Sequence, residues 1–377
     1  MKKVLVFALV LLLIFSLPTT VHADLQQDLE EQVDAGLDNL DFSQVNDLVG
    51  DLVGDVIVKI QQIVNGQFDN AESFLQMIFM LLGESISSLL PQLVSLFVVL
   101  VLVGIVRATS GGLISQSTDQ IVSFVGKSVI LLTLISMFVD VFRQVSETIN
   151  QLTALSNVSM PILLTLVVAN GSSNISAVCQ PSMVMFSGVI IGIVQKILLP
   201  LTASGVAFSF VSNLSQNVKV TQMATFLNKS ASWILGILFT VFSAFTSVQG
   251  ITASTMDGIS YRMAKFTTKN YIPILGGYIS DGFDIVVAST SLIKNSFGLV
   301  LLIAVALMVV KPFLYILSIN LGLQAVSALS EPITADNCSG VFVGVCKSLT
   351  FLSALLVAVA FMFCILVIVA ISCANGV

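Results

Sequence analysis

From Phe74 onward the chain alternates long apolar runs with short polar connectors, and this pattern decides the solvent in which most of it folds. Inside hydrocarbon no water is present to hydrogen-bond a bare N–H or C=O, so an apolar run of that length has to satisfy its own backbone as a helix. Composition agrees. Of 377 residues, 56% are hydrophobic and only 10% charged, and the mean hydropathy is +1.02; a soluble domain carries about 25% charged residues. The fold class that follows is all-α, a polytopic membrane protein.

The N-terminus reads as an export signal. Lys2 and Lys3 precede the apolar run Val4 to Leu17, and after Pro18 the residues Val21, His22 and Ala23 put small side chains where signal peptidase needs them. Cleavage is expected before Asp24, which makes residues 1–23 a signal peptide; an uncleaved anchor is the alternative, and in both cases the next segment is translocated. His22 is the single histidine, so the mature chain is expected to have none. Histidine acid–base catalysis, a Ser-His-Asp triad and histidine metal ligation are then excluded. The five cysteines, Cys179, Cys338, Cys346, Cys364 and Cys373, form no CxxC pair and read as small buried hydrophobes. With no Walker A, zinc or dinucleotide fingerprint either, no enzymatic role, metal, cofactor or nucleic acid is expected.

Residues 24–88 are a different material, read as an acidic extracytoplasmic helical segment. From Asp24 to Glu72 there are twelve acidic residues against one base, Lys59, too much charge for a bilayer. Val45, Val49, Leu52, Val56, Ile60 and Ile63 recur at helical spacing, while Asp47, Asp51 and Asp55 recur every fourth residue on another face. One or two amphipathic helices are expected, either lying back on the membrane domain or presented to a partner.

Within the membrane domain, residues 89–377, a tandem repeat is expected. Ile114-Ser115-Gln116, Leu214-Ser215-Gln216 and Leu329-Ser330-Glu331 each precede a Lys-Ser pair, at Lys127, Lys229 and Lys347. Pro161 and Pro273 begin matching Pro-Ile-Leu triplets, followed at equal spacing by Pro200 and Pro312. The repeats run over about 114–213 and 214–328, with a terminal half-repeat at 329–372. Six spans follow: a first helix over Leu89 to Val106, outward helices from Lys127, Lys229 and Lys347, and returning helices within Ser182 to Val211 and Leu299 to Leu323, broken at Pro200 and Pro312. Arg262, Lys265 and Lys269 then lie outside, against the positive-inside tendency. The alternative makes Ser182 to Val211 a hairpin of two short spans.

The stretch KNYIPILGGYISDGFD, Lys269 to Asp284, places Pro273, Gly276, Gly277, Asp281 and Asp284 among apolar sequence. Irregular backbone is tolerated at membrane depth only where protein or a water-filled cavity covers it, so this stretch and its counterpart from Pro161 to Ala169 read as re-entrant or interfacial hairpins; plain connecting loops are the alternative. Lys196, four residues before Pro200, and Lys311, adjacent to Pro312, occupy related places. At mid-bilayer each costs roughly 2.5–3.5 kcal/mol and needs a partner such as Asp140, Asp281 or Asp284 across a polar cavity, unless the break sets it at the interface. An intramembrane protease dyad of Asp281 and Asp284 fits poorly, because carboxylates three apart on one helix do not face each other across a substrate.

Gly250 to Gly258 (GITASTMDG), with Arg262, Ala264-Lys265-Phe266, Tyr271-Ile272-Pro273 and Gly276-Gly277, resembles the stage III sporulation protein AE family of endospore-forming bacteria. The resemblance implies a mother-cell membrane protein in a channel or secretion-like complex joining mother cell and forespore during engulfment. It implies other membrane proteins of that complex as partners, besides lipid, and brings no catalytic residues. The competing expectation, from the repeats and broken helices, is an autonomous transporter of small solutes or ions.

Overall fold

The computed structural model describes residues 33, 36–37, 40–64, 71–110, 116–169, 182, 185–214, 220–271, 276–330 and 339–372, with side chains at 71–77, 107–120, 122–123, 213–219, 249–287, 330–341 and 372 outside the description. The expected signal peptide and Pro273 also lie outside it. Among the described residues the fold is helical throughout. Two short helices, α1 (Ser43–Val53) and α2 (Val56–Val64), precede the long ones: α3 (Ala71–Ser110), α4 (Gln116–Ala169), α5 (Leu199–Leu214), α6 (Thr221–Tyr271), α7 (Gly276–Ser330) and α8 (Ser339–Ser372). A π turn at Val194–Leu198 leads into α5.

Among the described residues six stretches are long and apolar enough to cross a membrane: Ile78–Val106, Phe124–Ala169, Met185–Ser212, Thr221–Val248, Ala288–Leu329 and Phe342–Ile371. This is a multi-pass membrane protein. Met185–Ser212 is one stretch, which speaks for a single crossing there over the hairpin of two short spans.

Local chemistry shapes the α1–α2 pair. Asp41 Oδ1 accepts from the Ser43 backbone N–H at 3.0 Å and from the Ser43 hydroxyl at 2.5 Å, holding the entry to α1; these bonds lower the Asp41 pKa from its ordinary value. Gly54, at φ +84°, ends the helix in a conformation that a side chain disfavours, and its N–H returns to Gly50 O at 2.8 Å. Asn46 Oδ1 then accepts from the Val56 N–H at 2.8 Å, tying α2 back to α1. Val45, Val49, Val53, Val56 and Ile60 are buried on the inner side of the pair, and Asp47, Asp51 and Asp55 are exposed. The amphipathic segment therefore lies back on the bundle, as one of the two expectations had it. Leu52, expected in the stripe, is 43% exposed.

The central helix is α7, which packs against α1, α2, α3, α4, α6 and α8. Its buried residues Ile293, Phe297, Val300, Leu301, Ala304, Val305 and Val309 form one core with the α1–α2 stripe and with α4 and α8. Phe42 meets Phe297 edge to face, centroids 5.2 Å apart. Contacts between helices fix their registers. Gly126 of α4 abuts Val103 of α3, Gly205 of α5 abuts Asn228 of α6, and Gly344 of α8 reaches Ser209 of α5. The starts of α4, α6 and α8 are thus gathered at one end of the bundle.

The prolines break these helices less than expected. Pro161 sits inside α4, which runs on to Ala169 as continuous helix where a hairpin was expected; Pro312 likewise sits inside α7. A proline removes one backbone bond and crowds the carbonyl four residues earlier, but buried neighbours hold the helix on both sides, Met160 and Leu163 around Pro161, Val310 and Leu314 around Pro312. At Pro200 the strain has a visible outlet, since the π turn ends two residues before it and contains Lys196, whose carbonyl Pro200 cannot satisfy. Gly276 and Gly277 open α7, and Asp281 and Asp284 lie in its first turns, so that stretch is helix rather than hairpin from Gly276 on.

Candidate functional site

A cavity of about 620 Å³ opens between α1, α3, α4 and α7. Each helix contributes polar groups at helical spacing: Glu84, Ser85 and Ser88 from α3, Gln144, Glu147, Thr148 and Gln151 from α4, Lys311 and Tyr315 from α7, and Asp51 from α1. Glu84, Glu147 and Asp51 are exposed carboxylates, and Lys311 is an exposed ammonium. The walls below them are apolar, with Leu307 and Met308 among them.

Distances along the helices place the cavity relative to the helix ends. At about 1.5 Å per residue, Lys311 lies roughly 28 Å along α7 from Ser330, Glu147 roughly 30 Å along α4 from Lys127, and Ser88 roughly 27 Å along α3 from Val106. One hydrocarbon thickness is about 30 Å. The cavity thus belongs to a polar belt about one hydrocarbon thickness from those helix ends, inside the apolar stretches Ile78–Val106, Phe124–Ala169 and Ala288–Leu329. Pro312 fits the same level: Met308, whose carbonyl has no Pro312 N–H to accept, lines the cavity, so water has access where the ladder lacks a rung.

Of the residues singled out in the sequence, the cavity brings together Lys311 and Pro312. Lys196 is exposed on the π turn and is not among the lining residues. That turn is pinned by Gln195 Nε2 donating to Asn150 Oδ1 of α4 at 2.6 Å, next to Gln151 of the belt. Pro161 and Pro200 are exposed elsewhere. The side chains of Asp281 and Asp284 lie outside the described residues. The carboxylates that line the cavity with Lys311 are Asp51, Glu84 and Glu147, while Asp140, named from the sequence as a partner for Lys311, is near enough to Tyr315 of the cavity wall to act on it electrostatically.

A second cavity, about 540 Å³, lies between α7 and α8 near the opposite end, lined by Asn320, Gln324, Ser327, Cys346, Lys347 and Thr350 among others. Gln324 Nε2 donates to Asn320 Oδ1 at 3.2 Å, Asn320 Nδ2 donates to Thr350 Oγ1 at 2.9 Å, and Thr350 Oγ1 donates to Cys346 O at 2.7 Å. This polar ladder ties the two helices together. Farther along the same pair Lys294, fully buried, donates to Ile371 O at 2.8 Å in the last turn of α8, where a cation suits the negative end of the helix dipole. Among the described residues no group of three or more His, Cys, Asp or Glu is placed to hold a metal ion.

No solved structure matches this chain. Stage III sporulation protein AE of Bacillus subtilis (strain 168) is 29% identical over 264 residues, 69% of this chain and 65% of the relative, so the match spans a little under two thirds of that protein. The family model for stage III sporulation protein AE matches residues 55–374, from the start of the α2 turn to beyond the end of α8. With that match covering most of its length, the chain belongs to the stage III sporulation protein AE family.

Proposed function

We propose that this chain is a non-enzymatic membrane component of a multiprotein channel or secretion-like complex between mother cell and forespore, seated in the mother-cell membrane with its acidic segment outside the cytoplasm. Family membership supports the sporulation setting. The observation that carries the docking role is the division of labour in α1 and α2: the apolar stripe is used up inside the bundle, while Asp47, Asp51 and Asp55 remain exposed in a row. Asp281 and Asp284, in the first turns of α7, add a second acidic pair on the same side of the belt. Arg107, Lys127, Lys229 and Lys347 belong to the other end and support reading it as the cytoplasmic one, while Arg262, Lys265 and Lys269, at the far end of α6, count against it. Removal of residues 1–23 as a signal peptide, and descent of the α4–α5 and α6–α7 pairs from a tandem repeat, are parts of the same proposal.

The test is charge reversal at Asp47 and Asp51 to Lys, leaving Asp55, whose Oδ1 accepts from the Ile57 N–H at the start of α2. Both are exposed, so membrane abundance stays at wild-type level, while recovery of the complex from sporulating cells falls; the wild-type association weakens as salt rises, because exposed charges are screened. Unchanged recovery and spore yield would refute the docking role. A second reading, an autonomous transporter, draws on the two polar cavities near opposite ends of the α7 slab. Solute flux into liposomes holding only this protein is its signature.

A further inference from the structure

The cavity of about 540 Å³ between α7 and α8 opens on the outside of the bundle. Val343, Lys347 and Thr350 follow one another at helical spacing along one face of α8, and Leu321, Gln324 and Ala328 do so along α7; all six are exposed. The rim is apolar, with Leu321 58% and Val343 49% exposed, while Asn320, Gln324, Lys347 and Thr350 make the lining polar. Polar groups on a lipid-facing surface need a partner that lipid tails do not offer.

Depth narrows the choice of partner. Phe342–Ile371 has 30 residues, about 45 Å of helix against about 30 Å of hydrocarbon. Centred on the bilayer, it leaves about 7.5 Å at each end among the headgroups. Lys347 lies five residues in from Phe342 and so falls at the boundary itself. The Asn320–Thr350 hydrogen bond sets the register of these antiparallel helices, which brings Gln324 to the level of Lys347 and leaves Asn320 and Thr350 about one turn deeper.

Donors dominate the lining. Gln324 Nε2 and Asn320 Nδ2 each donate one hydrogen within the ladder and carry a second, and Lys347 brings an ammonium with three. Among the described residues no acid lines the cavity. The order of groups, a cation at the boundary, amides and a hydroxyl one turn below it and an apolar rim, matches the order of a phosphate, ester carbonyls and acyl chains. We propose that the α7–α8 cavity binds an anionic phospholipid, with its phosphate on Lys347 and Gln324, its esters toward Asn320 and Thr350 and a chain along Leu321. A zwitterionic lipid would bring an ammonium for which the lining holds no carboxylate. Free phosphate would meet the same ammonium but make no use of the rim. The proposal rests on the membrane-spanning reading of α7 and α8 and not on assembly with other proteins.

The test uses the full-length chain in lipid vesicles. Trp233 is the single tryptophan, so Trp233→Phe gives a background in which one introduced tryptophan reports alone. Leu321→Trp places it at the rim, and Val241→Trp, on an exposed apolar position of α6, serves as reference. Quenching by phosphatidylglycerol or phosphatidylcholine brominated on its acyl chains reads which lipid lies against each tryptophan. At Leu321→Trp, phosphatidylglycerol is expected to be favoured about fivefold, the effect of one lysine on an anionic lipid, with no preference at Val241→Trp. Lys347→Gln should abolish the preference and Lys347→Arg should keep it. Equal quenching by the two lipids at Leu321→Trp would overturn the proposal, and so would a preference that survives Lys347→Gln. Quenching by neither lipid there, with Val241→Trp quenched normally, would mean that a second copy of the chain covers the cavity, and would overturn it too. Inorganic phosphate, compared with sodium chloride at matched ionic strength, should leave the preference intact; its loss would assign the site to soluble anions instead. Because the assay uses isolated protein, its failure is distinct from failure of complex assembly.

Discussion

Ile60→Ala tests how the outer helical pair is seated. Ile60 is fully buried in α2, within the stripe that joins the core around α7. Truncating a fully buried isoleucine to alanine costs about 2–5 kcal/mol, depending on how far the site collapses around the gap. The pair is small and joined to the rest through one face, so this loss is expected to promote local opening of α1 and α2 ahead of global unfolding. Hydrogen exchange of the Val45 to Ile63 amides, measured by mass spectrometry on the protein in nanodiscs, reads that opening. At tenfold per 1.4 kcal/mol, exchange should speed up roughly 30- to 4,000-fold, with amides of α8 unaffected. Leu52→Ala is the matched control, since Leu52 is 43% exposed and should change exchange by no more than a few fold. Equal effects of the two substitutions, or no effect of Ile60→Ala, would refute the claim that the buried stripe seats the pair.

Gly54→Val should loosen the same pair by backbone strain alone, about 1–3 kcal/mol, because φ is +84° while the space that a side chain would enter is open; Gly50→Ala, inside α1 with equally open space, should instead stabilise by about 0.5–1 kcal/mol, and the exchange assay distinguishes the signs. A double-mutant cycle of Asn320→Ala with Thr350→Val, read from thermal unfolding in detergent, should give a coupling of about 0.5–1.7 kcal/mol, as interhelical hydrogen bonds in membranes do; zero coupling would mean the 2.9 Å contact contributes nothing. Reporter fusions after Asn228 and after Cys346 should both report the cytoplasm, and opposite answers would remove the shared end proposed for Lys229 and Lys347.

The helices and the inner stripe of α1–α2 were legible because they follow from period and composition: Val45, Val49, Val56 and Ile60 repeat at helical spacing, and long apolar runs admit few other states. Lys311 was legible too, because a charge in an apolar run demands an explanation. The three carboxylates that line its cavity were not. Asp51, Glu84 and Glu147 come from three separate helices, and each looks in sequence like an ordinary surface acid; only helix registers bring them to one cavity. Lys294 was hidden for the opposite reason, since the polar residues around it, Ser291, Asn295 and Ser296, made it resemble part of a connector, while its function depends on Ile371 at the far end of the chain. Pro161 misled because proline beside the polar run Asn170 to Asn174 has the local signature of a turn, whereas packing at Met160 and Leu163 carries the helix past it.

The continuity of α7 through Pro312 gives the molecule a mechanical property. With 55 residues it is a rod about 80 Å long, of which the part from Gly276 to Lys311, about 50 Å, lies on the other side of the belt from Ser330. A tilt of the rod by about 5° about the belt therefore moves its Gly276 end roughly 4 Å sideways if the rod stays stiff. That displacement is comparable to the spacing between packed side chains. The same shaft bears α1 and α2 near its middle and α8 along its flank, so its tilt and the seating of these helices are coupled.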